Sequence, residues 1–521
     1  MFLFPTNPTE ILNIVLSLRN TQSVGLDCIS TKILKLLAEA IADPLSHIIN
    51  MSLNKGIFPD SLKIAKVIPI YKKGKHDCLD NYRPISLLSN IGKVFEKVMY
   101  IRTMEYFNKH NFLFDNQFGF RANHSTTDAL YSSVNMIKTE SHNHNHVMGI
   151  FLDLSKAFDT VDHTILLHKL NHYGIRGNSY LWFQSYLSNR TQFTVIDGIS
   201  SSHLPVSTGV PQGSILGPLL FLIYINDIQF AHPQTRLTLF ADDTNVFVVE
   251  PNLQQLFSTA NKVCSSLAGW FSANRLTVNI SKSAFMIFST TKADDSYIFD
   301  NKLELKLNNC SLSRVNTIKF LGLLIDDRLT FKQHVKELTS KINNINSMLF
   351  NRKQFVPLSA RRNLYLALVY SKINFSIEIY GSATQSTLQP LLNASNKTLR
   401  TLQNKSRFSD VKQLYISYNI LPVQLLYKLN IAKIVYKCLH CKETVSIVMY
   451  EIFNKNCFNH SVNTRLCSTK YLYLQANSSI FKSLIYLATL IWNSIPINIR
   501  QSPTVNTFSM SYRNYILENW Q

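Results

Sequence analysis

The spacing of apolar positions predicts helices towards both ends of the chain and strands in between. Residues 9–55 repeat apolar side chains every three to four positions, as amphipathic helices do, with interruptions expected at Pro44 and at 56–59. A further helix is predicted around 91–107, and the pattern after about residue 332 is mainly helical. Short apolar runs typical of strands occur at 67–71, 148–154, 193–196, 237–240 and 246–249. The pattern therefore predicts an α+β protein.

One polar tract interrupts this pattern. Residues 140–146 contain alternating His142, His144 and His146, which could bind a metal ion. An exposed, solvated loop is the favoured interpretation of this tract.

Composition and charge point to a large core and a polyanionic partner. The chain has 521 residues, too many for one ordinary domain, and 46% of them are hydrophobic, which excludes a disordered protein. Lys and Arg number 53 against 32 Asp and Glu, a net charge of +21. Residues 331–521 hold 23 basic and 6 acidic residues, or +17, which leaves +4 for residues 1–330. This excess favours nucleic acid as a partner over a merely basic surface.

The number of cysteines and the length of the apolar runs indicate where in the cell the protein is expected. Eight cysteines in 521 residues are too few for a dense disulfide framework, which favours a reducing compartment. Apolar runs stay below the ~18 residues of a membrane span, and the start of the sequence lacks the basic region of a signal peptide. We therefore expect an intracellular, soluble protein with no membrane partner.

A zinc site is the less favoured interpretation of one cysteine pair. Cys438 and Cys441 could bind zinc together with Cys457, His460 or Cys467. The spacings are irregular and the preceding segment has the pattern of an amphipathic helix. The absence of a metal at this pair is therefore the favoured hypothesis.

Three aspartates carry the candidate chemistry. Asp153 ends an apolar strand, and Asp242 and Asp243 lie between two apolar runs, where a hairpin tip is plausible. Neighbouring side chains of a strand point to opposite faces, so tandem acids can serve one site only at a bend. Crowded carboxylates need neutralisation, and hard oxygen ligands select Mg²⁺. Two such ions could support an in-line phosphoryl displacement; an acidic turn unrelated to Asp153 is the alternative.

Ordered blocks along the sequence carry a family resemblance. They are Asn81–Ser86, Gln117–Arg121, Phe151–Asp159, Gly209–Pro218, Phe240–Asp243, Asn279–Lys282 and Lys319–Gly322. These blocks resemble the signature blocks of reverse transcriptases, in particular those of non-LTR (LINE-type, jockey-like) retrotransposons. Thr464–Arg465 and Trp492–Pro496 are similar to the C-terminal region of that family.

The resemblance assigns the catalytic residues. It implies that Asp153, Asp242 and Asp243 hold two Mg²⁺ ions, for which Mn²⁺ could substitute. It also implies that Lys282 donates a proton to the departing pyrophosphate, although a solvent-facing lysine is an alternative.

The resemblance also assigns substrate-binding residues. Phe158 would exclude a ribose 2′-hydroxyl by its volume, unless it is only a core aromatic. Gln212 and Gly213 would lie beside the template base and the incoming nucleotide, in a glycine-rich loop. Arg121 would bind the triphosphate, where an ordinary surface ion pair is the alternative. Weaker candidates for the same surface are Lys72, Lys73 and Arg83.

The family implies a right-hand polymerase with fingers, a palm with an antiparallel sheet, and a helical thumb. We expect a helical N-terminal extension at 1–59, fingers and palm at 60–325, a thumb-like helical region at 326–410 and a basic, mainly helical C-terminal region at 411–521. An apurinic-type endonuclease domain, common in the family, has no room in residues 1–60, so a separate or missing nicking activity is expected.

The implied activity is that of an RNA-directed DNA polymerase. The protein would extend a DNA primer or target DNA with dNTPs on an RNA template, with nuclear action implied by the family and a cytoplasmic location also open. A catalytically decayed or domesticated RNA-binding, maturase-like protein is the alternative. An RNA-templated RNA polymerase is a second rival, which the bulky Phe158 disfavours.

Overall fold

The computed structural model describes residues 1–233, 235–288, 291–454, 472 and 484–520. Its strands lie in the first two thirds of the chain, and the last third is helical. The strands are β1 Ile64–Tyr71, β2 Tyr82–Leu87, β3 His146–Leu152, β4 Arg190–Ile196, β5 Ile199–Ser200, β6 Leu204–Val206, β7 Arg236–Phe240, β8 Asp243–Glu250, β9 Ala284–Phe288, β10 Lys306–Leu307, β11 Cys310–Ser311, β12 Ser313–Arg314, β13 Thr317–Phe320 and β14 Leu323–Asp326.

Helices surround these strands and form the C-terminal third, so the predicted α+β class is confirmed. The first of them are α1 Pro8–Ser17, α2 Thr31–Leu36, α3 Ala38–Lys55, α4 Asn90–Lys109, α5 Thr126–His142, α6 His163–His172, α7 Asn178–Leu187, α8 Leu216–Ile225, α9 Leu253–Ala273 and α10 Lys292–Asp300. They are followed by α11 Lys332–Arg352, α12 Leu358–Tyr365, α13 Ser371–Asn374, α14 Ile377–Tyr380, α15 Gln385–Leu402, α16 Val411–Tyr418, α17 Val423–His440, α18 Ile447–Phe453, α19 Leu484–Asn493, α20 Ile497–Arg500 and α21 Val505–Glu518.

The central sheet has the strand order β12-β9-β3-β8-β7, with β3 antiparallel to both of its neighbours. Strand β3 is apolar without alternation because both of its faces are buried. Met148 and Ile150 face a core shared with α4, α8 and α9, whereas Val147 and Phe151 face a second core shared with α5 and the C-terminal helices. The sheet therefore lies between two hydrophobic cores, which fixes the end of β3 firmly.

A second sheet has the strand order β2-β1-β4-β5, and its strands β1 and β2 lie between α3 and α4 in the sequence. Strand β1 pairs antiparallel with β2 and parallel with β4, and β6 pairs with β4. The β1–β2 hairpin presents Lys72 and Arg83 as exposed side chains at one end. The second sheet therefore carries an exposed, basic hairpin end.

The interruption predicted at Pro44 is wrong. Pro44 lies inside α3, which continues to Lys55 and ends at Gly56 with a left-handed φ of 65°. A proline removes one helical hydrogen bond, but the buried Leu45, Ile49 and Leu53 pack this helix against the first core. Tertiary packing therefore outweighs the local cost.

The exposed loop predicted at residues 140–146 is also largely wrong. Helix α5 extends to His142 and β3 begins at His146, so only residues 143–145 connect them. Glu140 accepts a hydrogen bond from Asn145 Nδ2 at 2.9 Å and forms an ion pair with Arg236 at 2.7 Å. These contacts stabilise the last turn of a helix whose composition is that of a loop.

The helical third of the chain begins after the β13–β14 hairpin. Helices α11 and α15 pack along each other, and α17 packs against α19 and α21. Their apolar faces, with Phe320 and Phe331 from the hairpin region, form the second core. None of the helices in the described ranges combines the length and apolarity needed to cross a bilayer.

Candidate active site

The pairing of β3 with β8 brings two of the three aspartates side by side. Leu152 lies opposite Thr244, and Phe151 lies opposite Asn245. Asp153 is the next residue after β3, and Asp243 is the first residue of β8. Continued by one step, the antiparallel register sets Asp153 across from Asp243, where facing Cα atoms are about 4.5–5.5 Å apart.

Asp242 lies in the tight turn that joins β7 to β8. Phe240 pairs with Asp243, so only Ala241 and Asp242 form the turn. Ala241 has a φ of 56°, in the left-handed region that non-glycine residues rarely adopt. The bend expected at this tandem pair of acids is therefore present, and Asp242 is half-buried while Asp243 is exposed.

Burial and neighbouring carboxylates make the ionisation of Asp242 and Asp243 less favourable. Loss of hydration raises the pKa of Asp243 to about 6, with the charges of Asp242 and Asp153 adding to the effect. Loss of hydration also raises the pKa of Asp242, which Asp153 raises further and Lys72 and Arg83 lower. The basic hairpin end and the three acids therefore share one electrostatic site.

A divalent cation fits this set of donors. The groups available are carboxylate oxygens, the ligands that Mg²⁺ prefers, and a bound cation would offset the loss of hydration and the repulsion by neighbouring carboxylates that raise the pKa values of Asp242 and Asp243. As the side chains stand, no three His, Cys, Asp or Glu among the described residues are arranged to hold one ion.

Gln117 is a site residue that the sequence interpretation missed. It is only 2% exposed, and its side-chain Oε1 accepts hydrogen bonds from the backbone N–H of Gly119 at 2.9 Å and of Ala241 at 3.0 Å. A Cβ on Gly119 would lie 2.3 Å from the nitrogen of Ala241, so this approach requires glycine. The available signal was a glutamine two residues before a glycine in an otherwise apolar block.

The block around Lys282 contacts the backbone of Asp153. The N–H of Asn279 donates to the carbonyl of Asp153 at 2.8 Å, and the N–H of Asp153 donates to Ser283 Oγ at 3.2 Å. Lys282 Nζ lies 3.6 Å from Asp153 Oδ2; the lysine side chain is largely exposed and the aspartate side chain is partly buried. Ser283 is a second residue that the sequence interpretation missed.

Phe158 lies between two other aromatic rings. Its ring stacks on that of Phe221 at a centroid distance of 4.5 Å and meets the edge of Phe120 at 6.1 Å. Its carbonyl accepts the N–H of Val210 at 2.8 Å, which ties the segment after Asp153 to the glycine-rich loop. Phe158 is only half-buried, so part of its surface remains available to a substrate.

Gln212 and Gly213 connect that loop to the second sheet. Gln212 Nε2 donates to Asp159 Oδ1 at 2.8 Å, and the Gln212 carbonyl accepts the N–H of Ser86 in β2 at 2.9 Å. Gly213 has a φ of 126°, and a Cβ there would lie 2.7 Å from the Ser86 carbonyl oxygen. The loop is therefore held between the two sheets.

Arg121 is the predicted site residue with the least direct connection to the acids. Its Nη1 donates to the carbonyl of Phe114 at 2.6 Å, and burial lowers the pKa of Arg121 while Asp115 raises it. It follows Phe120, whose ring contacts Phe158. The backbone of Arg121 therefore lies near the site, whereas its side chain donates a hydrogen bond to Phe114 and not to one of the three acids.

The hypothetical zinc residues fall partly outside the described part of the chain. Cys438 is buried on α17, and Cys441 follows that helix. Cys457, His460 and Cys467 lie outside the described residues, as do Thr464 and Arg465.

Comparison with known sequences identifies one protein family for the region that contains these residues. Residues 70–325 match the profile of the family described as reverse transcriptase (RNA-dependent DNA polymerase). The RNA-directed DNA polymerase from the mobile element jockey of Drosophila melanogaster is 28% identical over 405 residues, 75% of this chain and 43% of that protein. The probable RNA-directed DNA polymerase from transposon X-element of the same species is 26% identical, over 76% of this chain and 44% of that protein.

The chain spans less than half the length of these curated relatives. Among solved structures, telomerase from Candida albicans aligns with a TM-score of 0.38 and 12% identity, over 70% of this chain and 68% of that chain. A TM-score of this size supports no inference.

Proposed function

The chain carries a reverse transcriptase domain over residues 70–325, similar to those of jockey-like non-LTR retrotransposons, and from this premise we propose that it acts as an RNA-directed DNA polymerase. It would extend a DNA 3′ end with deoxynucleotides on an RNA template. The observation that carries the proposal is the β3–β8 register, which brings Asp153 beside Asp243 although 90 residues separate them in sequence.

A reverse transcriptase domain implies a divalent cation cofactor in general. We infer that two Mg²⁺ ions, replaceable by Mn²⁺, would be held by Asp153, Asp242 and Asp243. When bound, such ions would polarise the attacking 3′ oxygen and neutralise the leaving pyrophosphate. The chain's own contribution is to hold the carboxylates of the β7–β8 turn beside the end of β3 despite their mutual repulsion.

Lys282 would supply the proton for the leaving group. Its Nζ lies 3.6 Å from the Asp153 carboxylate, and from there it would donate a proton to a pyrophosphate oxygen and regain one from solvent. The contacts of Asn279 and Ser283 with the Asp153 backbone support this role, because they hold the segment that carries Lys282 against the end of β3.

Phe158 and the glycine-rich loop would select and align the nucleotide. The ring of Phe158 is braced by Phe221, so it could not move aside for a 2′-hydroxyl without losing that stacking. Gln212 and Gly213 would contact the template base and the nucleotide from a loop whose backbone is held by Ser86.

The triphosphate would be met by cations from the second sheet. Lys72 and Arg83 already lower the pKa of Asp242, which supports a position close enough to act on phosphate oxygens bound at the acids. Lys73 neighbours Lys72 at the same hairpin end. Arg121 has further N–H groups besides the one that donates to the Phe114 carbonyl, and these could bind the γ-phosphate.

The regions of the chain would then form a right-hand polymerase. Residues 60–325 would be the fingers and palm, 326–410 the thumb, 1–59 an N-terminal extension packed on α4, and 411–521 a basic region that contacts the nucleic acid backbone. The template would be RNA, the primer a DNA end at a target, and the place of action the nucleus.

Primer extension on poly(rA)/oligo(dT) with Mg²⁺ tests the proposal. The wild type should incorporate dTTP and discriminate against UTP, and the Asp242→Asn/Asp243→Asn double variant should incorporate neither while retaining RNA binding. Efficient UTP incorporation would instead favour an RNA-templated RNA polymerase. RNA retention without synthesis by either protein would favour a decayed or domesticated RNA-binding, maturase-like protein.

A further inference from the structure

Three phenylalanine side chains protrude into solvent at one end of the α11–α15 helix pair. Phe350, Phe355 and Phe408 are 59%, 77% and 88% exposed. Lys353, Lys405 and Arg407 lie beside them in the sequence. We refer to these six residues as the basic-aromatic patch.

Two chain segments form this patch, and a buried arginine joins them. Arg361 is 6% exposed and donates to the carbonyls of Lys353 at 2.7 Å, Val356 at 3.0 Å and Leu402 at 3.0 Å. Arg400 donates twice to the carbonyl of Ser409, at 3.3 and 3.1 Å, which folds the segment that contains Phe408 back onto α15. The two segments are therefore held at one end of the helix pair by guanidinium groups that cap backbone carbonyls.

The cations of the patch are not neutralised by acidic residues of the described chain. None of Lys353, Lys405 and Arg407 forms an ion pair within the described chain. Lys353 Nζ lies 5.0 Å above the ring of Phe350, and the Arg407 guanidinium lies 5.7 Å from the ring of Phe408. The nearest acid in the sequence, Asp410, accepts the N–H of Lys412 at the start of α16. The patch therefore combines positive charge that no described acid neutralises with exposed aromatic side chains.

We propose that the basic-aromatic patch binds single-stranded nucleic acid, with bases stacked on the phenylalanine rings and phosphates paired with the cations. Stacking platforms set among cations suit a single strand, because a duplex keeps its base faces covered. The charge also disfavours an apolar protein surface as the partner. The 21 residues of α11 place the patch ~30 Å from the start of that helix beside the β13–β14 hairpin. This proposal deepens the proposed function but does not require catalysis.

Fluorescence anisotropy and 2-aminopurine emission test this proposal. Full-length protein, preloaded with an unlabelled RNA–DNA template–primer duplex to fill the catalytic cleft, is titrated with a labelled single-stranded RNA of about 12 nucleotides and with DNA of the same sequence. Phe355→Ala/Phe408→Ala should weaken single-strand binding about tenfold and abolish the 2-aminopurine quenching that stacking causes, with duplex binding unchanged. The RNA and DNA arms identify the preferred strand.

Matched controls keep the test falsifiable. Phe299 is 82% exposed on α10, beside acidic residues, so Phe299→Ala removes an equally exposed ring without touching the patch. Lys405→Gln/Arg407→Gln should weaken binding and reduce its salt dependence, whereas Lys302→Gln should not. The proposal would be overturned if the patch and Phe299 variants lost the same amount of single-strand affinity. It would also be overturned if the patch variants lost as much affinity for the duplex as for the single strand. Because Asp242→Asn/Asp243→Asn should bind normally, failure of catalysis remains distinguishable.

Discussion

The side chain of Gln117 and the backbone of Ala241 are joined by a hydrogen bond of 3.0 Å, from the Ala241 N–H to Gln117 Oε1. Ala241 has a left-handed φ of 56°, a conformation that costs roughly 1–3 kcal/mol for a non-glycine residue. The bond therefore helps to hold a strained turn whose next residue is Asp242. Since Gln117 is almost fully buried, water cannot replace it.

Gln117→Leu should lower the rate of nucleotide addition more than it lowers nucleotide binding. Two buried N–H groups, of Gly119 and Ala241, would lose their acceptor, at roughly 1–3 kcal/mol each. We expect kcat to fall at least about tenfold, with a smaller change in KM for dTTP. Steady-state primer extension and a thermal unfolding curve measure both effects.

A second buried amide provides the control for Gln117. Asn430 is 7% exposed and donates to Asn374 at 2.8 Å in the helical region. Asn430→Leu should lower thermal stability to a similar extent but leave the rate per folded enzyme unchanged. An equal loss of rate in both variants would show that Gln117 acts only on stability.

The strands next to the aspartates could be predicted because each is a short run of almost entirely apolar residues. The run before Asp153 and the runs around Asp242 and Asp243 all became strands of one sheet. The register that joins them could not be predicted, since it depends on the two cores that clamp β3. The role of Gln117 was hidden for the same reason, because its partner Ala241 is 124 residues away.

Two predictions failed where local composition was outweighed by distant contacts. Pro44 was expected to interrupt a helix, and residues 140–142 were expected in a loop. Buried contacts of Leu45 and Ile49 hold the first helix, and the ion pair of Glu140 with Arg236 holds the end of the second. Neither contact can be read from a local window of sequence.

Phe158→Ala should relax the choice of sugar. Removing the ring leaves space where a 2′-hydroxyl would otherwise collide, so the preference for dTTP over UTP should fall about tenfold to a hundredfold. Competing incorporation on poly(rA)/oligo(dT) measures the preference. Phe158→Tyr keeps the ring and its stacking on Phe221, so it should retain discrimination. Unchanged selectivity in the alanine variant would reduce Phe158 to a packing residue.

Lys282→Ala should slow the chemical step of nucleotide addition. Loss of a general acid typically costs 10²–10⁴-fold. Single-turnover extension, in which product release does not limit the rate, measures this step. Lys306 is a matched exposed lysine, 3.3 Å from Glu304, and Lys306→Ala should leave the rate unchanged. A full rate in Lys282→Ala would rule out proton donation.

Glu378→Gln should stabilise the protein mainly at high pH. Burial raises the pKa of Glu378 from 4.5 to about 7, with Asp128 adding to the shift and Lys433 opposing it. Because the folded state keeps a proton that the unfolded chain releases, this contribution to stability is full below pH 4.5 and is lost as pH rises through 7. The variant should therefore gain about 3 kcal/mol at most at pH 8.

Urea unfolding at pH 5 and pH 8 measures that difference. The gain at pH 8 should be several times that at pH 5. Glu337, an exposed acid 3.6 Å from Lys341, provides the control, since Glu337→Gln should lack any such trend. Equal effects of Glu378→Gln at both pH values would contradict a raised pKa.

Iron-mediated backbone cleavage most directly tests whether Asp153, Asp242 and Asp243 share a cation site. With Fe²⁺ in place of Mg²⁺, ascorbate and peroxide produce radicals that cut the chain next to the bound ion. We predict cuts beside both Asp153 and the Asp242–Asp243 turn, suppressed by excess Mg²⁺ and absent from Asp243→Asn. Cutting at one of the two positions alone, or an unchanged pattern in the variant, would contradict a shared site.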